Sequence, residues 1–380
     1  MKSIVDILLP VFNGATTITE AIESLQRQTF TSFRIIVVDD GSTDRTLEIL
    51  TGLAARDSRI TILTQPNLGM VAALNAGLCL CQAEFVARHD ADDISDPSRL
   101  AVELDYLRSH TDCIAVSGAV KHIDAQGRFL GTIQTFPQPH RADPRWAPSR
   151  EPYLMHPFLM VRGEDLQAIG GYRYVCYSED TDLCWRLQER GKLKNLDTTL
   201  GHYRVHARSI SSASIINGRI MALSSQLAGL SALRRRTGRP DLSFPKEAIA
   251  EYQSTRTLLK LWELGKRQLD DDEAGYLRIA LAAKLLELTD YRPYEPDIDD
   301  CQFIRDAFHE ATNLSNANRK HLAHLYARGG ARLLINGKFR KVIALTPPRL
   351  YFPMISRVTL RLLSTSTKSF VTRLQGNGRF

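Results

Sequence analysis

The sequence lacks the apolar runs and cysteine pairs that mark membrane-spanning or disulfide-stabilised proteins. The apolar run Ile4–Leu9 is far too short to span a bilayer or to form the core of a secretion signal, and no later run reaches spanning length. No two of the cysteines have CxxC spacing, and none lies near a histidine at zinc-finger spacing. We therefore predict a cytoplasmic protein whose cysteines are reduced thiols.

Acidic residues are missing from the last part of the chain. After Glu310 there is no Asp or Glu, whereas Lys and Arg recur to the end, interleaved with apolar side chains such as Leu350 and Phe352. Basic residues beside an apolar stripe are typical of helices on an anionic membrane surface. A solvated basic helix packed on its own domain has the same pattern. We predict a basic amphipathic tail at 346–380 and favour peripheral contact with the inner face of the cell membrane.

The bulk composition is that of a globular protein with a sizeable core. Of the 380 residues, 43% are hydrophobic and 24% are charged, which argues against disordered, collagen-like and disulfide-scaffold proteins. The length suffices for a large catalytic domain and a smaller one. The net charge of +7 permits a nucleotide, a phosphate-rich acceptor or a lipid surface as partner without choosing among them. We expect no nucleic-acid partner.

Strand-like and helical patterns alternate through the first part of the chain. The strand-like runs are 4–9, 34–39, 60–63 and 84–88, and the helical ones are 16–28, 44–56 and 69–81. Strands separated by helices predict an α/β fold with a mixed, mostly parallel sheet flanked by helices. After about residue 213 the patterns are those of amphipathic helices, including one at 245–268. We predict a catalytic domain at 1–213, a helical domain at 214–345 and the tail at 346–380.

Carboxylates follow two of the predicted strands, where an open α/β sheet binds its ligands. Asp39 and Asp40 precede a Gly-Ser turn, where they suit hydrogen bonds to a base or ribose, or a plain helix cap. Asp90, Asp92 and Asp93 form a second group. Alternating carboxylates suit Mg²⁺ or Mn²⁺ shared with substrate phosphates. A solvated acidic loop is the alternative, but unpaired acids just behind a buried strand are costly.

Two later motifs add a candidate general base and a candidate metal ligand. Glu179 and Asp180 begin a helical pattern, where the helix dipole alone favours acids. In a functional interpretation, one of them faces a cleft and takes a proton from an acceptor hydroxyl. His206 could be a third ligand beside a carboxylate pair, although a lone histidine is usually not a ligand.

The order of these motifs resembles the family 2 glycosyltransferases of the GT-A fold, over roughly residues 3–213. The matching segments are Pro10-Val11-Phe12-Asn13, Val38-Asp39-Asp40-Gly41-Ser42-Thr43-Asp44, Asn67-Leu68-Gly69 with Ala73, Asn75 and Gly77, Ala87-Arg88-His89-Asp90-Ala91-Asp92-Asp93, Arg99-Leu100, His156-Pro157, Gly170-Gly171-Tyr172-Arg173, Ser178-Glu179-Asp180-Thr181-Asp182-Leu183 and Tyr203-Arg204-Val205-His206. Each segment alone is weak, and their order makes the resemblance specific.

The resemblance implies roles for the matching residues. The implied donor-binding residues are Pro10, Phe12 and Asn13 at the base, Asp40 at the uracil or ribose, Asp90 at the ribose or sugar, and Asn67, Gly69, Asn75 and Arg88. The resemblance further implies that Asp92 holds the divalent metal, with His206 completing its site. It makes Asp180 the catalytic base, with Glu179 beside it.

The function implied is that of an inverting glycosyltransferase of the hexosyltransferase type. It would transfer a sugar from a nucleotide sugar, most commonly a UDP-sugar, to a saccharide or lipid-linked saccharide acceptor in bacterial cell-surface polysaccharide or lipopolysaccharide synthesis. Processive members carry a Gln-x-x-Arg-Trp motif after the base, which is missing here, so we expect a non-processive enzyme. His89 stands where the family usually has an apolar residue, and Glu103 where it often has Gln.

Two other functions remain open. A sugar-phosphate nucleotidyltransferase shares a nucleotide-binding α/β core but carries a Gly-x-Gly-x-x-Arg loop after its first strand, whereas this chain reads Pro10-Val11-Phe12-Asn13-Gly14-Ala15. A non-catalytic nucleotide-sugar-binding protein would usually lose one of the acids. Here Asp40, Asp90, Asp92 and Asp180 are all present.

Overall fold

The computed structural model describes residues 3–205, 214–292, 294–310 and 314–346. The chain divides into two compact units that interleave along the sequence. The first unit comprises Met1–Pro144, Arg150–Ser209 and Ser231–Lys246, and the second Arg145–Ser149, Ile210–Leu230 and Glu247–Phe380. The three-part division expected from the sequence stays a prediction, and the expected tail lies outside the described residues apart from Thr346.

Within the described residues, nine strands of the first unit form one mixed sheet. They are β1 (Val5–Val11), β2 (Phe33–Asp39), β3 (Ile60–Thr64), β4 (Phe85–Arg88), β5 (Ile94–Ser95), β6 (Cys113–Ile123), β7 (Phe129–Gln134), β8 (Met160–Arg162) and β9 (Lys192–Arg204). The order is β3-β2-β1-β4-β8-β6-β9-β5, and β7 pairs with β6. The strands β3, β2, β1 and β4 run parallel, as do β6 and β9, while β8 joins β4 to β6 in antiparallel fashion.

Helices cover both faces of this sheet. They are α1 (Ile18–Gln26), α2 (Thr46–Ala54), α3 (Met70–Leu78), α4 (Arg99–Ser109), α5 (Gly163–Ala168) and α6 (Glu179–Gln188). Every residue of β1 is buried, with Ile7 and Leu9 packed in a core with α1 and α4, and Leu8 in a second core with α3 and α6. Burial on both faces is why this strand is a continuous apolar run. The predicted α/β sheet flanked by helices is confirmed.

The second unit is helical in the part that the structure describes. Its helices are α7 (Ile215–Arg236, of which the turns after Leu230 belong to the first unit), α8 (Glu247–Ser254), α9 (Leu258–Gly265), α10 (Asp271–Thr289), α11 (Ile298–His309), α12 (Asn316–Ile335) and α13 (Phe339–Leu345). Asp270 and Glu273 form a capping box that starts α10, as its acidic sequence indicates. The single helix expected at 245–268 is wrong, because Thr257 caps a new helix by accepting a hydrogen bond from the Lys260 amide.

Neither unit contains a helix that is at once long and apolar enough to cross a bilayer, as far as the described ranges extend. All six cysteines are free thiols, of which Cys79 is exposed and the others are buried. The buried thiols contribute to the apolar cores, where burial raises the pKa of Cys81 and of Cys184 to about 12. These two thiols are therefore packing groups and not nucleophiles.

Candidate active site

The loops after β1 and β2 are tied together at the carboxyl ends of the strands. Asn13 takes the left-handed backbone conformation (φ 53°), which asparagine tolerates, and its amide donates to the Ser42 hydroxyl over 2.9 Å. The Asn13 side-chain oxygen accepts from the Thr43 amide over 2.8 Å. Pro10 is buried within β1, whereas the Phe12 ring is 49% exposed. Phe12 therefore presents an exposed aromatic ring beside these loops.

Asp40 anchors the loop that leads into α3. Its carboxylate is buried and accepts from the amides of Leu68 and Gly69, each over 2.9 Å, and from the Gln65 side chain over 2.7 Å. Gly69 has a φ of 91°, a conformation that favours glycine and that turns the chain into the helix. The loop holds Asn67 and Gly69 exposed. Asp40 thus organises this loop, and direct contact with a base or ribose stays a prediction.

Three carboxylates converge just after β4. Ligand oxygens of Asp90, Asp92 and Asp93 lie within 4.8 Å of one another. Asp93 is buried, and its Oδ1 accepts from the Arg204 amide over 2.8 Å. Burial, reinforced by the neighbouring Asp90 and Asp92, raises the pKa of Asp93 well above its ordinary value. Carboxylates placed this closely repel one another unless a cation or a proton is shared among them.

The donor set fits a hard divalent cation. The Asp93 Oδ2 is buried and makes no hydrogen bond to any residue that the structure describes. An orphaned buried carboxylate oxygen is costly, and beside two further carboxylates it is the arrangement in which Mg²⁺ or Mn²⁺ replaces the missing partner. His206, the other expected ligand, lies outside the described residues, so that its place in the site stays a prediction.

Arg88 supplies the positive charge at this end of the sheet. Its side chain is buried at the end of β4 and forms an ion pair with Asp90. The charge of Arg88 also acts on Glu179 and Asp180, and it lowers the pKa of each against the larger effect of burial. Arg88 therefore links the electrostatics of the acidic loop to those of the α6 terminus.

Glu179 and Asp180 lie side by side at the start of α6, both half-buried. Burial is the largest cause that raises the pKa of Glu179, to about 7, and the charges of Asp180 and Asp90 raise it further. Burial also raises the pKa of Asp180, against a hydrogen bond from the Thr181 amide over 2.7 Å. One ionised carboxylate beside one that titrates near neutral pH is suited to general-base chemistry.

The start of α6 is held in place by a buried charge network. Asp182 is fully buried and pairs with Arg186, with 2.8 Å between Oδ2 and Nη2, and with Arg173. Arg173 in turn reaches Asp241, with 2.9 Å between Nη1 and Oδ2. Because Asp182 is two residues from Asp180, this network fixes the direction of the candidate base.

The buried guanidinium of Arg99 connects the residues on either side of the acidic loop. Arg99 donates from Nη2 to the Arg88 carbonyl oxygen over 2.7 Å, just before the loop, and from Nη1 to the Ser95 hydroxyl over 3.1 Å, just after it. Its Nη1 also donates to His89 Nδ1 over 3.3 Å, and its Nε to Glu103 over 3.0 Å. Burial and the Arg99 charge lower the pKa of His89 well below its ordinary value, so this histidine is neutral.

Asn75, an expected donor-binding residue, is engaged with another loop. Its side-chain oxygen accepts from the Tyr172 amide and its nitrogen donates to the Tyr172 carbonyl oxygen, each over 2.9 Å. The Tyr172 hydroxyl meets His156 Nε2 at 2.9 Å in a buried pair. Gly171 has a φ of 68°, and a Cβ there would lie 2.7 Å from the Asn75 oxygen. Asn75 thus shapes the loop before α6.

Sequence reasoning assigned no role to Arg99, Asp182 or the His156–Tyr172 pair. The i, i+4 pairs Arg99–Glu103 and Asp182–Arg186 are visible in the sequence, but this spacing usually marks exposed helix pairs. Their complete burial was the missing information. An arginine followed four residues later by a carboxylate, on the helix that comes directly after an acidic loop, is the pattern that could have indicated the Arg99–Glu103 pair.

Comparisons with known proteins identify the family. The family model "Glycosyl transferase family 2" matches residues 6–170. EpsE of Bacillus subtilis, named as a glycosyltransferase, is 30% identical over 49% of this chain and 67% of its own length. Chondroitin synthase of Escherichia coli is 26% identical over 55% of this chain, which spans 30% of that relative's length. The chain therefore belongs to glycosyl transferase family 2, as its motifs predicted, and it is a glycosyltransferase.

A solved structure supports the fold. The mannosyltransferase PcManGT from Pyrobaculum calidifontis, in complex with GDP-Man and Mn²⁺, is 18% identical, with a TM-score of 0.51 over 91% of this chain and 86% of that one. At this identity the likeness concerns the fold alone, and it confirms the expected GT-A architecture.

Proposed function

We propose that this chain is an inverting, metal-dependent, non-processive glycosyltransferase that uses a nucleotide sugar, with a UDP-sugar as the preferred donor. The observation that carries the proposal is the convergence of Asp90, Asp92 and Asp93, where the buried Asp93 Oδ2 has no hydrogen-bond partner among the described residues. Arg88 and Asp90 act electrostatically on the Glu179–Asp180 pair, so the candidate metal ligands and the candidate base belong to one charge cluster. That combination suits displacement of a nucleoside diphosphate.

The donor would lie across the carboxyl ends of β1, β2 and β4. Phe12 offers an exposed ring to the base, and the loop that Asp40 anchors offers Asn67 and the Gly69 amide region to the nucleotide. Asp90, Asp92 and Asp93, with His206 as a further ligand, would hold Mn²⁺ or Mg²⁺. The bound ion would offset the charge that develops on the diphosphate oxygens.

The protein's own residues then handle the acceptor and its proton. Asp180 accepts the proton of the acceptor hydroxyl as that oxygen bonds to the anomeric carbon from the face opposite the diphosphate. The bond from the anomeric carbon to the diphosphate oxygen breaks, and the nucleoside diphosphate leaves with the electron pair. A single displacement inverts the configuration. Glu179, whose pKa is about 7, holds a proton for part of the time and so keeps Asp180 ionised.

The acceptor is proposed to be a saccharide or a lipid-linked saccharide in bacterial cell-surface polysaccharide synthesis. Support comes from the similarity to relatives that are named as a chondroitin synthase and as an amylovoran biosynthesis glycosyltransferase. The proposed setting is the cytoplasm, with peripheral contact at the inner face of the cell membrane through the basic C-terminal part of the chain.

Release of nucleoside diphosphate from a panel of nucleotide sugars tests the proposal, with Mn²⁺, with Mg²⁺ and with chelator. We expect one donor to be hydrolysed slowly, dependent on metal, with Asp92→Ala lowering the rate at least about a hundredfold because charge stabilisation at the leaving group is lost. Glu48→Ala, at an exposed carboxylate away from the loop, is the matched control and should retain the rate. Release of pyrophosphate would instead identify a nucleotidyltransferase, and a chelator-resistant rate would contradict the metal site.

A further inference from the structure

The last described helix, α13, carries apolar side chains on two sides. Val342, Ala344 and Leu345 are buried where α13 packs against α11 and α12. Phe339 and Ile343 are 62% and 68% exposed, and their spacing of four residues puts them on one face of the helix. Large apolar side chains this exposed are unfavourable in water, and two on one face indicate an interaction surface.

The exposed surface continues into the turn before α13. All residues from 335 to 340 are exposed, including Ile335 at the end of α12 and the cations Lys338 and Arg340. Phe339 and Ile343 thus form an exposed apolar pair on α13, with Lys338 and Arg340 next to Phe339 in the chain. We call Lys338, Phe339, Arg340 and Ile343 the α13 face.

The charge around this face has one sign. Residues 314–346 contain no Asp or Glu, and their cations are Arg319, Lys320, Arg328, Arg332, Lys338, Arg340 and Lys341. Arg328 and Lys341 pair with Asp290 and Glu295, whereas Lys338 and Arg340 form no ion pair with any described residue. An anionic surface is the electrostatic complement of such a face.

We propose that the α13 face docks the protein on an anionic phospholipid membrane. Phe339 and Ile343 enter the boundary between headgroups and acyl chains, while Lys338 and Arg340 meet the headgroup phosphates. A second protein copy is a poorer occupant, because stable interfaces bury about 800 Å² per partner and the two apolar side chains of this face offer far less. The inference rests on the peripheral membrane contact proposed above, to which it assigns residues, and it is independent of the proposed reaction.

Flotation of the full-length chain with phosphatidylcholine vesicles, with and without phosphatidylglycerol, tests the proposal. The wild type floats with the anionic vesicles, and this binding weakens as salt is added. In F339S/I343S the apparent affinity falls about tenfold or more, because the buried apolar area is lost. K338E/R340E causes a similar fall, since each cation near the surface contributes to binding.

The matched control is F129S/I133S. Phe129 and Ile133 on β7 are 53% and 54% exposed, similar to the α13 pair, so that general surface hydrophobicity is held constant. This variant should float like the wild type. Donor hydrolysis in solution and the thermal midpoint should be unchanged in F339S/I343S, which separates membrane docking from folding and from the proposed reaction.

Two results would overturn the proposal. Flotation of F339S/I343S at wild-type affinity would show that the face does not touch lipid. A wild-type protein that sediments as a dimer, with F339S/I343S monomeric, would assign the face to contact between copies.

Discussion

Burial at the start of α6 raises the pKa of both Glu179 and Asp180, and the charge of Asp180 raises the pKa of Glu179 further. Protons leave such a pair in two steps that belong to the pair and not to either residue. With the pKa of Glu179 at about 7, the second negative charge appears near neutral pH. The reactivity of Asp180 therefore depends on whether Glu179 is protonated.

Glu179→Gln should remove the change in kcat/KM near neutral pH and leave the acidic limb in place. The amide is neutral, like protonated Glu179, so the negative charge that appears beside Asp180 near pH 7 in the wild type no longer forms. The measurement is sugar transfer between pH 5 and 9. Asp180→Asn is the companion variant and should lower kcat about 10²- to 10⁴-fold at every pH. Superimposable profiles for Glu179→Gln and the wild type would contradict the coupling.

At the scale of elements, α4 stabilises the acidic loop through one buried arginine. Arg99 reaches a carbonyl before the loop and a hydroxyl after it, while Glu103 orients the guanidinium from the next turn of the helix. Burial raises the pKa of Glu103 to about 7, from a usual value near 4.5. The folded protein therefore holds a proton on Glu103 over a pH range in which the unfolded chain has released it.

Glu103→Gln should flatten the pH dependence of stability. In the wild type, titration of Glu103 lowers the free energy of unfolding as pH rises from about 4.5 to about 7, because the folded state binds one more proton than the unfolded chain in this range. The total decrease due to Glu103 is at most about 3 kcal/mol. Gln keeps an oxygen for Arg99 but does not titrate. Urea unfolding at pH 5 and pH 7.5 measures the difference, with the exposed Glu23→Gln as control. Equal pH dependence in Glu103→Gln and the wild type would refute this role.

The helices and strands before residue 90 followed from the sequence because β1, β2 and β4 are almost wholly buried apolar runs and the strands there are bounded by turn residues. The strands β5 to β9 were missed for local physical reasons. The residues of β7 are all exposed, so no apolar alternation marks it. The pairing of β6 with β9 shifts register at Gly118 and Ala119, which interrupts a period of two.

The candidate site was predictable from the sequence where its residues directly follow a strand. Asp90, Asp92 and Asp93 follow β4 as the motif indicated, and the structure brings their oxygens together. The burial of Asp93 and the engagement of Asn75 with Tyr172 depend on contacts between distant segments. No pattern within a single segment contains that information.

On the scale of the whole molecule, the first unit is completed by Ser231–Lys246, which comes later in the chain than Ile210–Leu230 of the second unit. Asp241 lies in Ser231–Lys246, and it pairs with Arg173 and Arg235, with 2.9 Å between the charged atoms in each pair. Burial raises the pKa of Asp241, but hydrogen bonds from Ser231 and Arg235 and the charge of Arg173 together lower it below its ordinary value. The pairs therefore persist at neutral pH and weaken as Asp241 is protonated. The segment is thereby fixed to the unit that contains α6.

Asp241→Asn should loosen the first unit and leave the second unchanged. Loss of the charge weakens two partly exposed pairs, for which we expect about 1 kcal/mol at neutral pH. Hydrogen exchange should accelerate in α6 and the loop before it, and not in α10 or α11. Asp105→Asn, at an exposed site on α4, is the control. Faster exchange confined to α10 and α11 would show that the segment belongs with the second unit.

The interleaving of the two units also constrains how the protein is made. A ribosome that has translated the sheet and α6 has not yet delivered Asp241, so the nascent chain carries Arg173 without that partner until Lys246 has emerged. Ile210–Leu230, which belongs to the second unit, leaves the ribosome before the first unit is complete. The first unit therefore cannot complete its folding before synthesis of the second unit begins. Part of the second unit has already been synthesised when the last segment of the first unit emerges.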